Sequence, residues 1–137
     1  MPYPILRIAT ACLLDEAGRL LVVRKRGTGI YMLPGGKIEE TESPMQALLR
    51  ELHEELGLSV EHSELEPLGH FGSRAANEPD HWVEADVFIG RACGQVRAQA
   101  EIEAVEWLAL QQSQHIVLAP LLREVVLPAL CQWLCAR

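Results

Sequence analysis

Several things are missing from this chain, and each absence narrows what it can be. No stretch of its 137 residues approaches the roughly 20 consecutive apolar residues that cross a bilayer. The opening MPYPILRIATACLLD has no basic residues ahead of its apolar run and no cleavage pattern. Such a start reads as a buried strand rather than a secretory signal. Four cysteines (Cys12, Cys93, Cys131, Cys135) show neither metal-ligand nor redox spacing. Cys131 and Cys135, one helical turn apart, read as small apolar side chains. Together these features predict a reducing cytoplasm.

Positive charge is also scarce. Twelve Lys and Arg stand against 19 Asp and Glu, a net charge of −7, which argues against a protein that grips a nucleic-acid backbone along a broad surface. An acidic protein acting on phosphates must draw the anion in through bound metal and a few local cations. There are no internal repeats, no low-complexity tract and no linker, so residues 1–137 read as one domain with room for a core. Familiar site motifs fail as well. Gly27-Thr28-Gly29 lacks the third glycine of a dinucleotide fingerprint, and Gly36-Lys37 is followed by Ile38 where a P-loop needs Ser or Thr. His53-Glu54 begins like a zinc-protease helix, but Gly57 stands where the second His belongs.

What the chain does have is concentrated between Tyr31 and Leu58. Pro34, Gly35 and Gly36 give a turn signal, and an acidic segment follows. Pro44 to Leu56 reads as a helix, with Ser43 a good N-cap, Pro44 tolerated in the first turn and Gly57 a natural stop. At about 100° per residue, Met45, Leu48, Leu49, Leu52 and Leu56 form the apolar stripe. Glu51, Glu54 and Glu55 gather on a neighbouring side, where like charges repel. Arg50 is the only nearby cation. An exposed acidic face is the plain reading; a cluster of hard oxygen ligands stabilised by Mg²⁺ or Mn²⁺ is the chemical one.

The spacing favours the second. From Gly36 there are five residues to Glu42 and seven to Arg50. Glu51, an apolar Leu52, any residue, Glu54, Glu55, any residue, Gly57 and an apolar Leu58 complete the run. This stretch resembles, without a departure, the signature box of the Nudix hydrolases, which fixes nine positions across these 23 residues. The resemblance implies a Nudix fold of the α/β (α+β) class, a mixed β-sheet sandwiched between α-helices. It implies hydrolysis of a diphosphate bond in a nucleoside diphosphate derivative, with Mg²⁺ as cofactor and Mn²⁺ as a substitute.

Carried over position by position, the metal ligands are Glu51, Glu54 and Glu55, with a backbone carbonyl from Gly35 or Gly36. Arg50 orients a box glutamate, and Glu42 braces the loop or reaches metal through water. Outside the box, Glu101 stands six residues before Trp107, in the place where the family often has a further glutamate, with Glu103 its substitute. Glu54 is the first choice of general base and Glu101 the second. The basic run Arg24-Lys25-Arg26 lies just ahead of the site, so Arg24 and Arg26 are candidate phosphate contacts. Tyr31, Phe71 and Trp82 are candidates to stack on a base, although a chain with 5% aromatics also needs them in its core.

The Pro that marks ADP-ribose enzymes and the Tyr of dinucleoside polyphosphate enzymes are missing from the window Ser73 to Ala76. The accessory motifs of the coenzyme A and NADH pyrophosphatases are missing too. By elimination the expected substrate is a nucleoside triphosphate, normal or oxidised, cut to monophosphate and pyrophosphate. An ADP-ribose or dinucleoside polyphosphate hydrolase, an RNA 5′-end pyrophosphohydrolase and a non-catalytic nucleotide-sensing module are the alternatives. A small-molecule nucleotide is thus the expected partner, with no membrane and no nucleic acid; a homodimer rests on family analogy alone.

For the rest, Ile5 to Leu14 predicts a central strand buried on both faces and Asp15 to Gly18 a hairpin turn, with Leu20 to Val23 pairing back. Strands are expected over Leu65 to Arg74, His81 to Arg91 and around Val105 to Leu108, with a turn at Cys93 to Gln95. A final helix over Pro120 to Trp133 should end or kink near Leu127 because of Pro128.

Overall fold

The computed structural model describes residues 4–92, 95–111 and 115–137. Strand β1 (Ile5–Leu14) and β2 (Leu20–Lys25) are joined by the Asp15 to Gly18 turn, and β3 (Tyr31–Met32) and β4 (Gly35–Lys37) lead to helix α1 (Pro44–Leu56). Then come a single 3₁₀ turn at His62–Glu64, the long strands β5 (Leu65–Arg74) and β6 (Trp82–Arg91), and β7 (Ile102–Leu108). A continuous helical segment ends the chain, π-helical over Leu121–Val126 and α-helical as α2 over Leu127–Cys135. The turn at Cys93 and Gly94 lies outside the described residues.

The sheet is mixed. Its main order is β3-β2-β1-β6-β5, with β4 also on β1 and β7 also on β2. β1 runs parallel to β6 over ten residue pairs, and the other pairings are antiparallel. As expected, β1 is central, and residues 9–13 are fully buried. Strand alternation sorts its side chains between two cores. Ala9, Ala11 and Leu13 pack with Ala47, Leu48, Leu52 and Leu56 of α1. Cys12 joins Val83, Ala85, Val87 and Ile89 of β6 and Leu122, Val126 and Leu130 of the terminal helix. Each fully buried leucine contributes roughly 1.5–3 kcal/mol, so both helices are held by their stripes. The sheet is sandwiched between helices.

Three local expectations change. Gly35 to Lys37 is not a free turn but a strand, because Ile8, Ala9 and Thr10 of β1 offer it a ladder. Pro128 does not end the last helix, although the change from π to α falls at Leu127, where the end or kink was expected. The preceding turns widen instead, so that the Leu127 N–H donates to Leu122 O, five residues back; the wider turn absorbs the hydrogen bond that Pro128 cannot make. Cys131 and Cys135 are exposed rather than packed, since Leu122, Val126 and Leu130 define the buried stripe; Cys12 is buried, which pushes its thiol up to about 12. Cys93 lies outside the described residues. Among the described residues no helix is long and apolar enough to cross a membrane.

Candidate active site

Helix α1 begins and ends as its sequence dictates. Ser43 Oγ accepts from Gln46 N at 3.1 Å, and Gln46 Oε1 accepts from Ser43 N at 2.9 Å, a reciprocal capping box that satisfies donors the helix leaves open. At the other end Gly57 adopts φ 68°, and its N–H donates to His53 O, a left-handed stop that favours glycine.

Arg50 is the hub of the box. Its Nε donates to Glu42 Oε2 at 2.6 Å and its Nη2 to Glu42 Oε1 at 2.9 Å, a bidentate pair. Nη1 donates to Glu51 Oε2 at 2.9 Å, reaches Glu54 Oε1 at 3.4 Å, and Nη2 also donates to Lys37 O at 3.2 Å. One guanidinium thus joins the loop, strand β4 and the helix. Through that hydrogen bond it holds the Glu42 carboxyl down to about 2.

Glu55 is the contrasting carboxyl. It is 7% exposed, and its Oε1 accepts from Gly35 N at 3.3 Å. Burial first, and the neighbouring Glu51 carboxylate second, push it up to about 8. Two carboxyl groups pressed together, one of them buried, carry negative charge without enough positive charge beside it. Gly36 packs directly on the Glu51 carboxylate, for a Cβ there would stand 2.5 Å from Glu51 Cδ. A Cβ on Gly35, at φ 139°, would overlap the Ala9 carbonyl oxygen. These two glycines let strand β4 pass between β1 and α1.

Among the described residues no three His, Cys, Asp or Glu side chains close on a single point as a preformed metal site would. Glu51 and Glu55 meet as a pair. Glu54, with its side chain 54% exposed, stands further out. The donor set fits a hard divalent cation all the same: it is all oxygen, and an ion would offset the burial and the repulsion from Glu51 that together push the Glu55 carboxyl up.

On the face of β1 opposite α1 lies a cavity of about 250 Å³. Leu6, Ile8, Thr10, Val83, Leu121 and Leu122 form much of its wall. Gly35, Gly36 and Lys37 line it too, so it touches the same strand as the acidic pair. Four cations, Lys25, Arg26, Lys37 and Arg74, also line it, together with Glu78 and Glu101.

The expected site residues therefore divide. Gly35, Gly36, Glu101 and Arg26 line the cavity; Arg50, Glu51, Glu54 and Glu55 lie on the helix behind β4. Arg26 also pairs with Glu103 at 3.3 Å, and its N–H donates to Glu101 O at 2.8 Å. Arg24, Tyr31, Phe71 and Trp82 do not line the cavity. Arg24 donates to Thr28 O and stacks over Tyr31 at 5.9 Å. Phe71 packs against the core, and Trp82, 38% exposed, donates its indole N–H to Glu84 at 2.6 Å. Sequence reasoning passed over Thr10, Lys37 and Arg74 as site candidates. A hydroxyl alone in an apolar strand and a lysine following a glycine pair were the available signals; for Arg74 there was none.

A profile of the NUDIX domain matches residues 4–128. A MutT-like protein of Streptomyces ambofaciens is 37% identical over 94 residues, 68% of this chain and 56% of that protein. An 8-oxo-dGTP diphosphatase of Proteus vulgaris is 39% identical over 59 residues, 40% of this chain and 53% of that enzyme. The chain thus spans little more than half the length of these two curated relatives. The crystal structure of a MutT NUDIX hydrolase from Burkholderia pseudomallei superposes with a TM-score of 0.73 at 25% identity, covering 93% of this chain and 97% of that one. The fold and the box place the chain among enzymes built on an acidic helix and a glycine-rich strand. It belongs to the Nudix family, the hydrolases of diphosphate bonds.

Proposed function

We propose that this protein hydrolyses a nucleoside triphosphate, normal or oxidised, to the monophosphate and pyrophosphate, with Mg²⁺ as cofactor and Mn²⁺ able to replace it. The observation that carries the reading is one cavity with a cationic rim and an apolar wall, continuous with the strand that packs on Glu51 and Glu55. In a protein of net charge −7, four cations around one cavity suit a polyphosphate, and the aliphatic wall suits a base. The relative named as an 8-oxo-dGTP diphosphatase supports the same substrate class.

Glu51, Glu54 and Glu55 would hold the divalent ion, with a carbonyl from Gly35 or Gly36 and with Glu101 from the loop. When bound, the ion neutralises charge on the phosphate oxygens and acidifies water. The chain's own residues do the rest. Arg50 fixes Glu51 against Glu42 and β4, so the carboxylates are positioned before substrate arrives. Lys25 and Lys37 meet the non-bridging oxygens. Glu54, the most exposed of the three, takes the proton from the attacking water, and Glu101 is second in line.

The test is release of pyrophosphate and phosphate with Mg²⁺ from nucleoside triphosphates, ADP-ribose, dinucleoside polyphosphates and 5′-triphosphate RNA. Turnover of a triphosphate that stops with chelator, and that Glu54→Gln abolishes without unfolding the protein, is the expected result. Turnover confined to ADP-ribose or a dinucleotide would overturn the substrate assignment.

A further inference from the structure

Helix α1 closes on the carbonyl groups of His53, Glu54, Glu55 and Leu56, and each of them accepts from the loop between β6 and β7. The backbone N–H of Gln99 donates to Glu55 O at 2.8 Å and that of Arg97 to Leu56 O at 3.0 Å. Any residue but proline would make these two bonds. The others belong to the glutamine, whose side-chain amide donates to Glu54 O at 3.1 Å and to His53 O at 3.3 Å. A helix end that reaches water needs no such help, because water satisfies its last carbonyls. Arg97, Ala98 and Ala100 are exposed, so water reaches this one. What the amide adds is a fixed distance between the helix and the loop.

The loop carries Glu101, which lines the cavity. Past Gln99 the chain turns at once: the Ile102 N–H donates to Gln99 O at 2.9 Å, and Ala100 takes φ 52°, a left-handed conformation uncommon outside glycine. Ile102 is 2% exposed and packs in the core with Leu52 and Leu56. Arg26 holds the far side, its N–H donating to Glu101 O at 2.8 Å and its Nη2 to Ala100 O at 3.4 Å. Glu101 therefore rides on a tight turn between two anchors. Two residues of chain span at most about 7 Å, so fixing Gln99 on the helix limits how far Glu101 stands from it.

Resting on the reading above that Glu101 joins the box carboxylates around the divalent ion, we propose that Gln99 is a positioning residue for the reaction. Its amide sets the spacing between Glu101 and the turn bearing Glu54 and Glu55, and it touches neither metal nor substrate. A carboxylate on a free loop has to be ordered each time the ion binds, whereas the clamp orders it beforehand. Hydrogen bonds that orient metal ligands in this way typically cost about 10- to 100-fold in affinity or activity when they are removed.

The experiment compares the wild type with Gln99→Ala, Gln99→Met, Glu101→Gln and the double variant Gln99→Ala/Glu101→Gln. It reads Mn²⁺ affinity by electron paramagnetic resonance without substrate, and kcat and KM for dGTP at saturating Mg²⁺. Gln99→Ala and Glu101→Gln should each weaken Mn²⁺ about tenfold and lower kcat by a similar factor, with KM for dGTP within about twofold of the wild type. Gln99→Met keeps the reach of the side chain and loses the amide, so it should match Gln99→Ala. The double variant should be no worse than Glu101→Gln alone, because both changes remove the same contribution. A role in stability alone would lower the melting temperature and leave Mn²⁺ affinity where it was. Unchanged Mn²⁺ affinity and kcat in Gln99→Ala, with Glu101→Gln impaired, would overturn the proposal and leave the role of Glu101 standing. Losses that multiply in the double variant would overturn it too, since Gln99 would then act on the helix alone. If Glu101→Gln is itself silent, the role of Glu101 falls and the proposal with it. Mn²⁺ binding needs no turnover, so it decides the matter even if dGTP is not cut.

Discussion

The side-chain amide of Gln99 donates to the Glu54 carbonyl oxygen at 3.1 Å, across 45 residues of sequence, and to the His53 carbonyl oxygen at 3.3 Å. Its backbone N–H donates to Glu55 O at 2.8 Å, and Arg97 N donates to Leu56 O at 3.0 Å. The last carbonyls of a helix have no partner inside it; here a strap from beyond β6 supplies them. Glu101, two residues further on, lines the cavity, so the strap ties a loop carboxylate to the helix bearing Glu51, Glu54 and Glu55. Gly57 leaves room for it, since a Cβ there would stand 3.2 Å from Gln99 Oε1.

Replacing Gln99 by Ala removes two neutral hydrogen bonds, each worth about 0.5–1.5 kcal/mol. The expected result is faster exchange of the backbone amides of Arg97 and of the alanine at position 99 in the metal-free protein, with the interior of α1 still protected. Unchanged exchange at both amides would show that the strap is held by other contacts.

Gly36→Ala tests the packing of β4 on the acidic pair. The new methyl would displace the Glu51 carboxylate, against which Gly36 now rests. Misplacing a site group by about 1 Å can cost about a hundredfold in rate, so hydrolysis should fall on that order while circular dichroism stays the same. Full activity in Gly36→Ala would mean that Glu51 is not needed where it stands.

Arg50→Lys keeps the charge and loses the fork that grips Glu42. The melting temperature should drop by roughly 3–6 °C at neutral pH. The pH dependence follows from Glu42, whose folded pKa of about 2 lies below its ordinary value of 4.5. Its stabilisation is present above pH 4.5 and is lost as pH falls towards 2. Arg50→Lys should therefore lose less stability than the wild type on acidification across that window. Parallel curves would remove the pair from the account of acid stability.

Glu55 titrates in the opposite sense. Its folded pKa of about 8 lies above its ordinary 4.5, so in the metal-free protein the folded state holds this proton more tightly than the unfolded chain. The stabilisation is fully present below pH 4.5 and is lost as pH rises through 8. Glu55→Gln, neutral at every pH, should flatten the fall in melting temperature between pH 5 and 8. A wild-type curve that already lacks this fall would contradict the burial assigned to Glu55.

The amino-acid sequence by itself determined the local elements and the family. Ser43, Pro44 and Gly57 bounded α1 at the residues observed, because caps act within one turn. The β-branched apolar run at Ile5 to Leu14 defined the central strand, since alternation is also local. The box spacing carried the carboxylate positions for the same reason. Only the tertiary structure decided what depends on a distant partner. Gly35 to Lys37 is a strand because β1 pairs with it, and the helix runs through Pro128 because a widened turn can pack there. Glu55 differs from Glu54 because one faces Gly35 and the core while the other faces solvent. Gln99 carried no signal of its own and Thr10 only that of a lone hydroxyl in an apolar strand, for a cavity and a cap shared across 45 residues exist only once the chain has closed on itself.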